Sequence, residues 1–236
     1  GEYERPMWYA LNGKKPNYKY SFNYQNWYPS VEYECKNTVK NVGLFELTPF
    51  SKYEVNGENA YDDLQKMCTA NIKNDIGKCT YTHMLNEGAG IETDLTVVCL
   101  KKNYFRIISS SAVRTHDKYH ILKHLSKDTE FKDVTDELIC LGIFGPKSRD
   151  LLSKISKENF SNENFKFATA KNIKINSINV WAQRLSYVGE LGYELYIKNE
   201  KAKEIYNLIV KIGKNYDLAH CGAHTMDIMR MESGFL

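Results

Sequence analysis

No apolar run in this 236-residue chain is long enough to span a bilayer, and a mean hydropathy of -0.52 points the same way. The N-terminus carries no basic-then-apolar leader pattern, so no secretory address is legible there. Charge of one sign is also missing. The formal net charge is only +3 and the lysines are scattered, which argues against nucleic-acid binding through bulk electrostatics. The six cysteines, Cys35, Cys68, Cys79, Cys99, Cys140 and Cys221, include no C-x-x-C pair. Several stand in apolar contexts such as VVCL and LICLGIF, where a thiol behaves as a small hydrophobe, and a reducing, cytoplasm-like compartment suits them. A G-x-S-x-G elbow, a P-loop, an internal repeat and a low-complexity linker are all absent. Ser109, Ser110 and Ser111 have no convincing base nearby, which disfavours a serine nucleophile.

With 42% hydrophobic and 26% charged residues, the chain has the make-up of one large or two small globular domains. Its first thirty residues are rich in aromatics (Tyr18, Tyr20, Phe22, Tyr24, Trp27, Tyr28) and read as a strand or clamp, with core packing as the plainer account. Helical periodicity follows over Val31–Asn41, Glu58–Ala70, Thr115–Leu125, Lys201–Ile212 and from Ala223 onward. Gly145-Pro146 opens a further helix through Ile155, and Gly213 reads as a helix stop. Strand patterns cover Val42–Leu47, Lys52–Asn56, Leu95–Leu100, Tyr104–Ser109, Leu138–Phe144, Ile173–Ile175, Val180–Tyr187 and Tyr193–Ile197. Hairpins mixed with helices over short connections indicate an α+β fold rather than a doubly wound parallel sheet. The abrupt end at Leu236 reads as a piece of something longer.

The segment YTHMLNEGAGIETDLTVV, Tyr81–Val98, sets Asp94 where a glycine-bearing turn gives way to an apolar strand. A carboxylate at such a mouth can be held rigidly while facing a pocket, as proton transfer or ligand orientation requires, although turn capping accounts for many such aspartates. Glu190 and Glu194 flank Gly192, and Glu194 lies between apolar Tyr193 and Leu195, where an acid is out of place unless it accepts hydrogen bonds. Two acids in apolar frames, with Tyr81 and Tyr187 near them in sequence, suit a flat heteroaromatic ring bearing N–H donors. Other clusters weigh less. His116, His120 and His124 fall at i, i+4 spacing but lack a completing ligand, so a solvated helix face is favoured over a metal site; His220, Cys221 and His224 are likewise favoured as structural. No metal is therefore expected. Gly88-Ala89-Gly90 precedes a strand instead of opening a helix, which rules out a dinucleotide fingerprint.

Seven stretches, ERPMWYA, QNWYPSVEYE, VGLFELTPFSKYEVNG, YTHMLNEGAGIETDLTVV, LGIFGPKSRDLL, RLSYVGELGYELYI and MRMESGF, taken together in order, resemble the tetrahydrofolate-binding part of the dimethylglycine and sarcosine dehydrogenase family. That part is itself similar to the T-protein, the aminomethyltransferase of glycine cleavage. The resemblance implies a T-protein-like fold of two mixed antiparallel-sheet and helix subdomains, without the C-terminal barrel that follows the equivalent of Phe235. It divides the chain into an aromatic connecting segment, 1–30, and a C-terminally truncated folate-binding domain, 31–236. It implies that Asp94 orients or deprotonates the folate, that Tyr81 is a pocket tyrosine, and that Tyr187 and Glu194 bind the pteridine. Arg230 would stand near the pterin-to-glutamate end, with Ser110 and Phe50 lining the pocket and Glu190 holding a turn.

The same resemblance implies tetrahydrofolate as cofactor and a methylated amine of the dimethylglycine or sarcosine type as one-carbon donor, with methylene-tetrahydrofolate as product. FAD would enter only from an upstream oxidase domain or a partner subunit, because no flavin fingerprint is present. The mitochondrial matrix would replace the cytoplasm in a eukaryote. Some members of that family are regulatory subunits that keep the fold without the chemistry, so a scaffold is the rival expectation. A folate-dependent demethylase with another methyl donor is a third. The turn reads Gly-Ala-Gly where many relatives carry consecutive glycines.

Overall fold

A computed structural model describes residues 3–11 and 13–235. Eleven strands among them form two sheets. The larger holds β1 (Val42–Glu46), β7 (Leu138–Phe144), β8 (Ala170–Ile175), β9 (Ile178–Gln183), β10 (Gly192–Lys198) and β11 (Leu218–Cys221), in the order β11-β1-β7-β10-β9-β8. All its pairings are antiparallel except β1 with β11. The smaller sheet is wholly antiparallel and holds β2 (Ser51–Asn56), β3 (Cys79–Leu85), β4 (Ile91–Lys101), β5 (Tyr104–Ser109) and β6 (Glu130–Asp133), in the order β3-β4-β5-β2-β6. The chain leaves the first sheet after β1, builds the second, and returns at β7. Two crossings therefore tie the sheets together, and antiparallel hairpins mixed with helices make the α+β arrangement the sequence led us to expect.

Each sheet buries its outer face under helices. On the larger one, Tyr193, Leu195 and Ile197 of β10 alternate into a cluster with Leu151, Leu152 and Ile155 of α4 (Ser148–Ile155) and Ile205 and Ile209 of α5 (Asn199–Gly213). On the smaller one, Leu95, Val97 and Cys99 of β4 pack on Ala60, Leu64 and Met67 of α2 (Ala60–Met67) and Ile121 of α3 (Arg114–His124). A third cluster draws on both sheets: Phe45, Cys140, Phe144 and Tyr196 from the larger, Cys79, Val98 and Ile108 from the smaller, and Met226 and Met229 from α6 (Ala223–Glu232). The inner faces thus meet. The N-terminal helix α1 (Tyr28–Lys40) starts on Pro29 in its first turn, where the missing N–H costs nothing, and contributes Cys35 to this cluster.

Several boundaries differ from those read in the sequence. Tyr81 is no part of a turn: Cys79–Leu85 is the edge strand β3, and the turn shrinks to Asn86–Gly90, where the Asn86 side chain accepts from the N–H groups of Gly88 and Gly90. Asp94 accordingly sits inside β4, opposite His83 of β3, rather than at its mouth. Polar Thr80, Thr82 and His83 hide the alternation of β3. The strand expected to run on to Tyr187 stops at Gln183, because the next residue, Arg184, faces two residues at once, its N–H donating to the Thr169 carbonyl and its carbonyl accepting from the Ala168 N–H. Gly213 does not stop its helix. It is the last residue of α5 and lies where an added Cβ would meet Leu218, while Asp217 takes the left-handed conformation that ends the segment.

Candidate functional site

Strand alternation puts both acids on the sheet faces that contribute to the shared cluster, Glu194 half-buried and Asp94 exposed. On β10, Gly192, Glu194 and Tyr196 share the inner face, and Tyr196 belongs to the cluster joining the sheets. On β4, Asp94 shares a face with Thr96 and Val98, and on β3 the register opposes them with His83, Tyr81 and Cys79; Val98 and Cys79 belong to that same cluster. Glu194 is therefore not framed by its sequence neighbours, since Tyr193 and Leu195 point to the opposite face.

Around Asp94 the contacts form a chain. The Tyr81 hydroxyl donates to Asp94 Oδ2 at 3.1 Å. Burial, the Asp94 charge and that hydrogen bond, with a smaller contribution from Tyr187, push the Tyr81 phenol up to about 12, so it stays a donor at neutral pH. The Tyr187 ring stacks on Phe235 with centroids 5.9 Å apart. Arg230 on α6 donates to Asp227 at 3.1 Å, and its already high pKa is raised by Asp227 and then by Tyr187. Gly189 lets the β9–β10 loop lie against the end of α6, for an added Cβ would stand 2.0 Å from the Ser233 hydroxyl at a φ of +74°. The RLSYVGELG and MRMESGF motifs are thus one local structure.

Glu194 holds the other side. The Tyr196 hydroxyl donates to its Oε2 at 2.8 Å. The residue keeps some accessible surface, yet its surroundings are so dense that burial pushes its carboxyl up to about 7. The thiols of Cys79 and Cys140, raised first by their own burial and then by the Glu194 charge, mark how close those strands come. Phe50, between β1 and β2, packs half-buried on the joining cluster. Its carbonyl and that of Thr48 accept from the fully buried Lys52 ammonium at 2.7 and 2.8 Å, which fixes the crossing loop. Ser110 directly follows β5, beside the Asp94 end of β4; its hydroxyl accepts from the Ala112 N–H and caps a short turn of helix. Asp94 and Tyr81 are hydrogen-bonded, Tyr187 lies near both Tyr81 and Arg230, Phe50 packs on the shared cluster, and Glu194 sits beside Tyr196 of that cluster.

The histidine groups divide differently. His116 pairs with Glu92 at 2.8 Å and with Asp117 at 3.2 Å, while His120 is buried rather than solvated. His220 takes Tyr206, and His224 takes Tyr18. Among the described residues no group of three or more His, Cys, Asp or Glu could hold a metal ion. The Gly88–Gly90 segment turns a hairpin and offers no strand-to-helix cradle for a dinucleotide. Sequence reading passed over Tyr196 and Gln183. Tyr196 was within reach by period-2 counting from Glu194, and Gln183 by the polar residue it puts at the end of a strand.

A family model described as the GCVT N-terminal domain matches residues 1–236. The 4-methylaminobutanoate oxidase (formaldehyde-forming) of Paenarthrobacter nicotinovorans is 36% identical over 234 residues, covering 98% of this chain and 28% of the oxidase. Mitochondrial dimethylglycine dehydrogenase of Rattus norvegicus is 33% identical over 236 residues, covering 99% of this chain and 27% of the dehydrogenase. The chain thus spans little more than a quarter of either relative's length. Among solved structures, the glycine cleavage system aminomethyltransferase T from Bartonella henselae superposes with a TM-score of 0.78 at 19% identity, covering 93% of this chain and 59% of that one.

Proposed function

This chain belongs to the GCVT N-terminal domain family, and from that premise we propose that it binds tetrahydrofolate between its two sheets and captures a one-carbon unit released by oxidative N-demethylation of a methylated amine, giving methylene-tetrahydrofolate. The single observation that supports the reading is that Asp94 and Glu194 stand on the faces of the two sheets that supply Val98, Cys79 and Tyr196 to one shared cluster. The residues fit a reduced pterin. Among the described residues the Glu194 carboxyl takes one side-chain hydrogen bond, from Tyr196, which leaves lone pairs for ring N–H groups; Phe50 and Tyr187 would supply apolar walls, and Arg230, near Tyr187, a cation for an anionic tail.

Bound tetrahydrofolate supplies the nitrogens that take up the carbon. Asp94, steadied by Tyr81, accepts the proton that a ring nitrogen sheds as its bond to carbon forms, and the clasp of Tyr187 and Arg230 keeps folate beside the incoming donor. A flavin, in this reading, belongs to a separate domain or partner subunit. The two curated relatives are named for different methylated amines, which separates the folate chemistry from the choice of donor. We assign the dimethylglycine or sarcosine type, in a reducing cytoplasm or, in a eukaryote, the mitochondrial matrix.

Calorimetric titration with tetrahydrofolate tests the reading. Glu194→Ala should weaken binding by roughly tenfold or more, as loss of a charge-assisted pair implies. Asp94→Asn should bind within a few-fold of the parent but lose on the order of 10²-fold or more in methylene-tetrahydrofolate formation above the uncatalysed rate with formaldehyde. Undetectable heat in the parent and both variants, together with recovery of a stoichiometric protein partner, would favour the scaffold instead.

A further inference from the structure

Gln183 is the last residue of β9, it has no accessible surface, and among the described residues neither its amide oxygen nor its amide nitrogen has a hydrogen-bond partner. Buried amides are paired in the great majority of folded proteins, and an unpaired one is a costly way to fill a core that an apolar side chain would fill better. Its position says what it serves. Gln183 lies directly opposite Glu194 in the β9–β10 pairing, so the two side chains leave adjacent strands on the same inner face, with Cβ atoms about 5 Å apart. Its partner on the other side is Ala170, which has nothing to offer an amide. The amide is fully covered, and its half-buried cross-strand neighbour Glu194 keeps accessible surface beside it.

Resting on the folate reading above, we infer that Gln183 reads the 4-position of the bound pterin while Glu194 holds the 2-amino and ring N–H groups. The edge of a 2-amino-4-oxo ring presents donor, donor and acceptor in a row. A carboxylate accepts from the first two, and an amide N–H beside it donates to the third. The width of that edge is comparable to the separation of neighbouring strands, about 4.8 Å, which the β9–β10 pairing sets. Gln183 is thus a specificity-determining residue, and nothing in the seven sequence-derived site residues includes it.

Folic acid and aminopterin are matched probes, identical but for an oxo or an amino group at that position. Both are titrated calorimetrically into the parent protein, Gln183→Met and Gln183→Glu, with thermal unfolding followed for each. The near-isosteric Met removes the donor, and folic acid affinity should fall by about tenfold. The Glu variant presents only acceptors, so it should shift the ratio of affinities toward aminopterin by about tenfold relative to the parent. Should Gln183→Glu fail to fold, Gln183→Met alone decides. Variants that bind both ligands with the parent's affinities and ratio would overturn the role of Gln183 while leaving the folate site standing. A parent that binds neither folic acid nor tetrahydrofolate would overturn the folate reading and this inference with it.

Discussion

Glu194 is the residue whose ionisation has most to do with both stability and ligand. Burial raises its carboxyl from 4.5 to about 7, so the folded state holds a proton that the unfolded chain has already released. For a raised acid the sign is fixed: the stability associated with the proton is present below about 4.5 and is lost as pH climbs through about 7. At about 1.4 kcal/mol per unit, the loss is at most on the order of 3 kcal/mol. Denaturant unfolding at pH 5, 6 and 8 should show that decline, and Glu194→Gln should flatten it. A parent curve identical to that of Glu194→Gln would contradict the buried-carboxyl account. Folate binding has the opposite slope, because the ionised form accepts ring N–H groups, so affinity should increase as pH passes through 7.

At the level of elements, the N-terminal segment shows how a single missing Cβ can hold a structure together. The Pro6 and Met7 carbonyls accept from the N–H groups of Ala223 and His224, and the buried Glu34 carboxylate gathers the N–H groups of Tyr9 and Gly222 with the Thr225 hydroxyl. A Cβ at Gly222 would stand 2.2 Å from the Met7 carbonyl oxygen and 2.4 Å from the Trp8 nitrogen, both backbone atoms that have no rotamer to yield. Gly222→Ala should cost roughly 1–3 kcal/mol, as overpacking does, and should release the segment to protease at Lys14 and Lys15. Unfolding midpoints and limited proteolysis check both; a variant as resistant as the parent would mean that the segment is held elsewhere. Helices such as α5 were legible because Ile205 and Ile209 repeat a 3.6-residue stripe. The edge strands β3 and β6 were not, because Thr80, Thr82, His83, Glu130 and Lys132 break the alternation that an edge, half-solvated, does not need. The acids were legible for the same local reason that their facing was not: composition marks Glu194 as odd, but only the pairing of β7, β10 and β9 reveals its face.

For the molecule as a whole, the two crossings between β1 and β2 and between β6 and β7, one shared apolar cluster and backbone bonds from Cys79 to Ala168 and from Ala170 to Gly77 join the sheets. A ligand between the inner faces would touch both sheets, and its binding energy would add to the contacts that keep them together. At a free concentration one hundred times its dissociation constant, tetrahydrofolate should stabilise the folded state by about 2.7 kcal/mol. For a chain of this size that corresponds to a rise in Tm of roughly 5–10 °C. The rise should shrink in Glu194→Ala at the same ligand concentration. Location is the sharper test, because stabilisation alone would follow from binding anywhere. Hydrogen exchange with and without ligand should slow together in β4 and in β10, which belong to different sheets and are far apart in sequence. Slowing confined to one of the two strands would place the ligand on an outer surface, and a folate held between the sheets would then be the wrong picture.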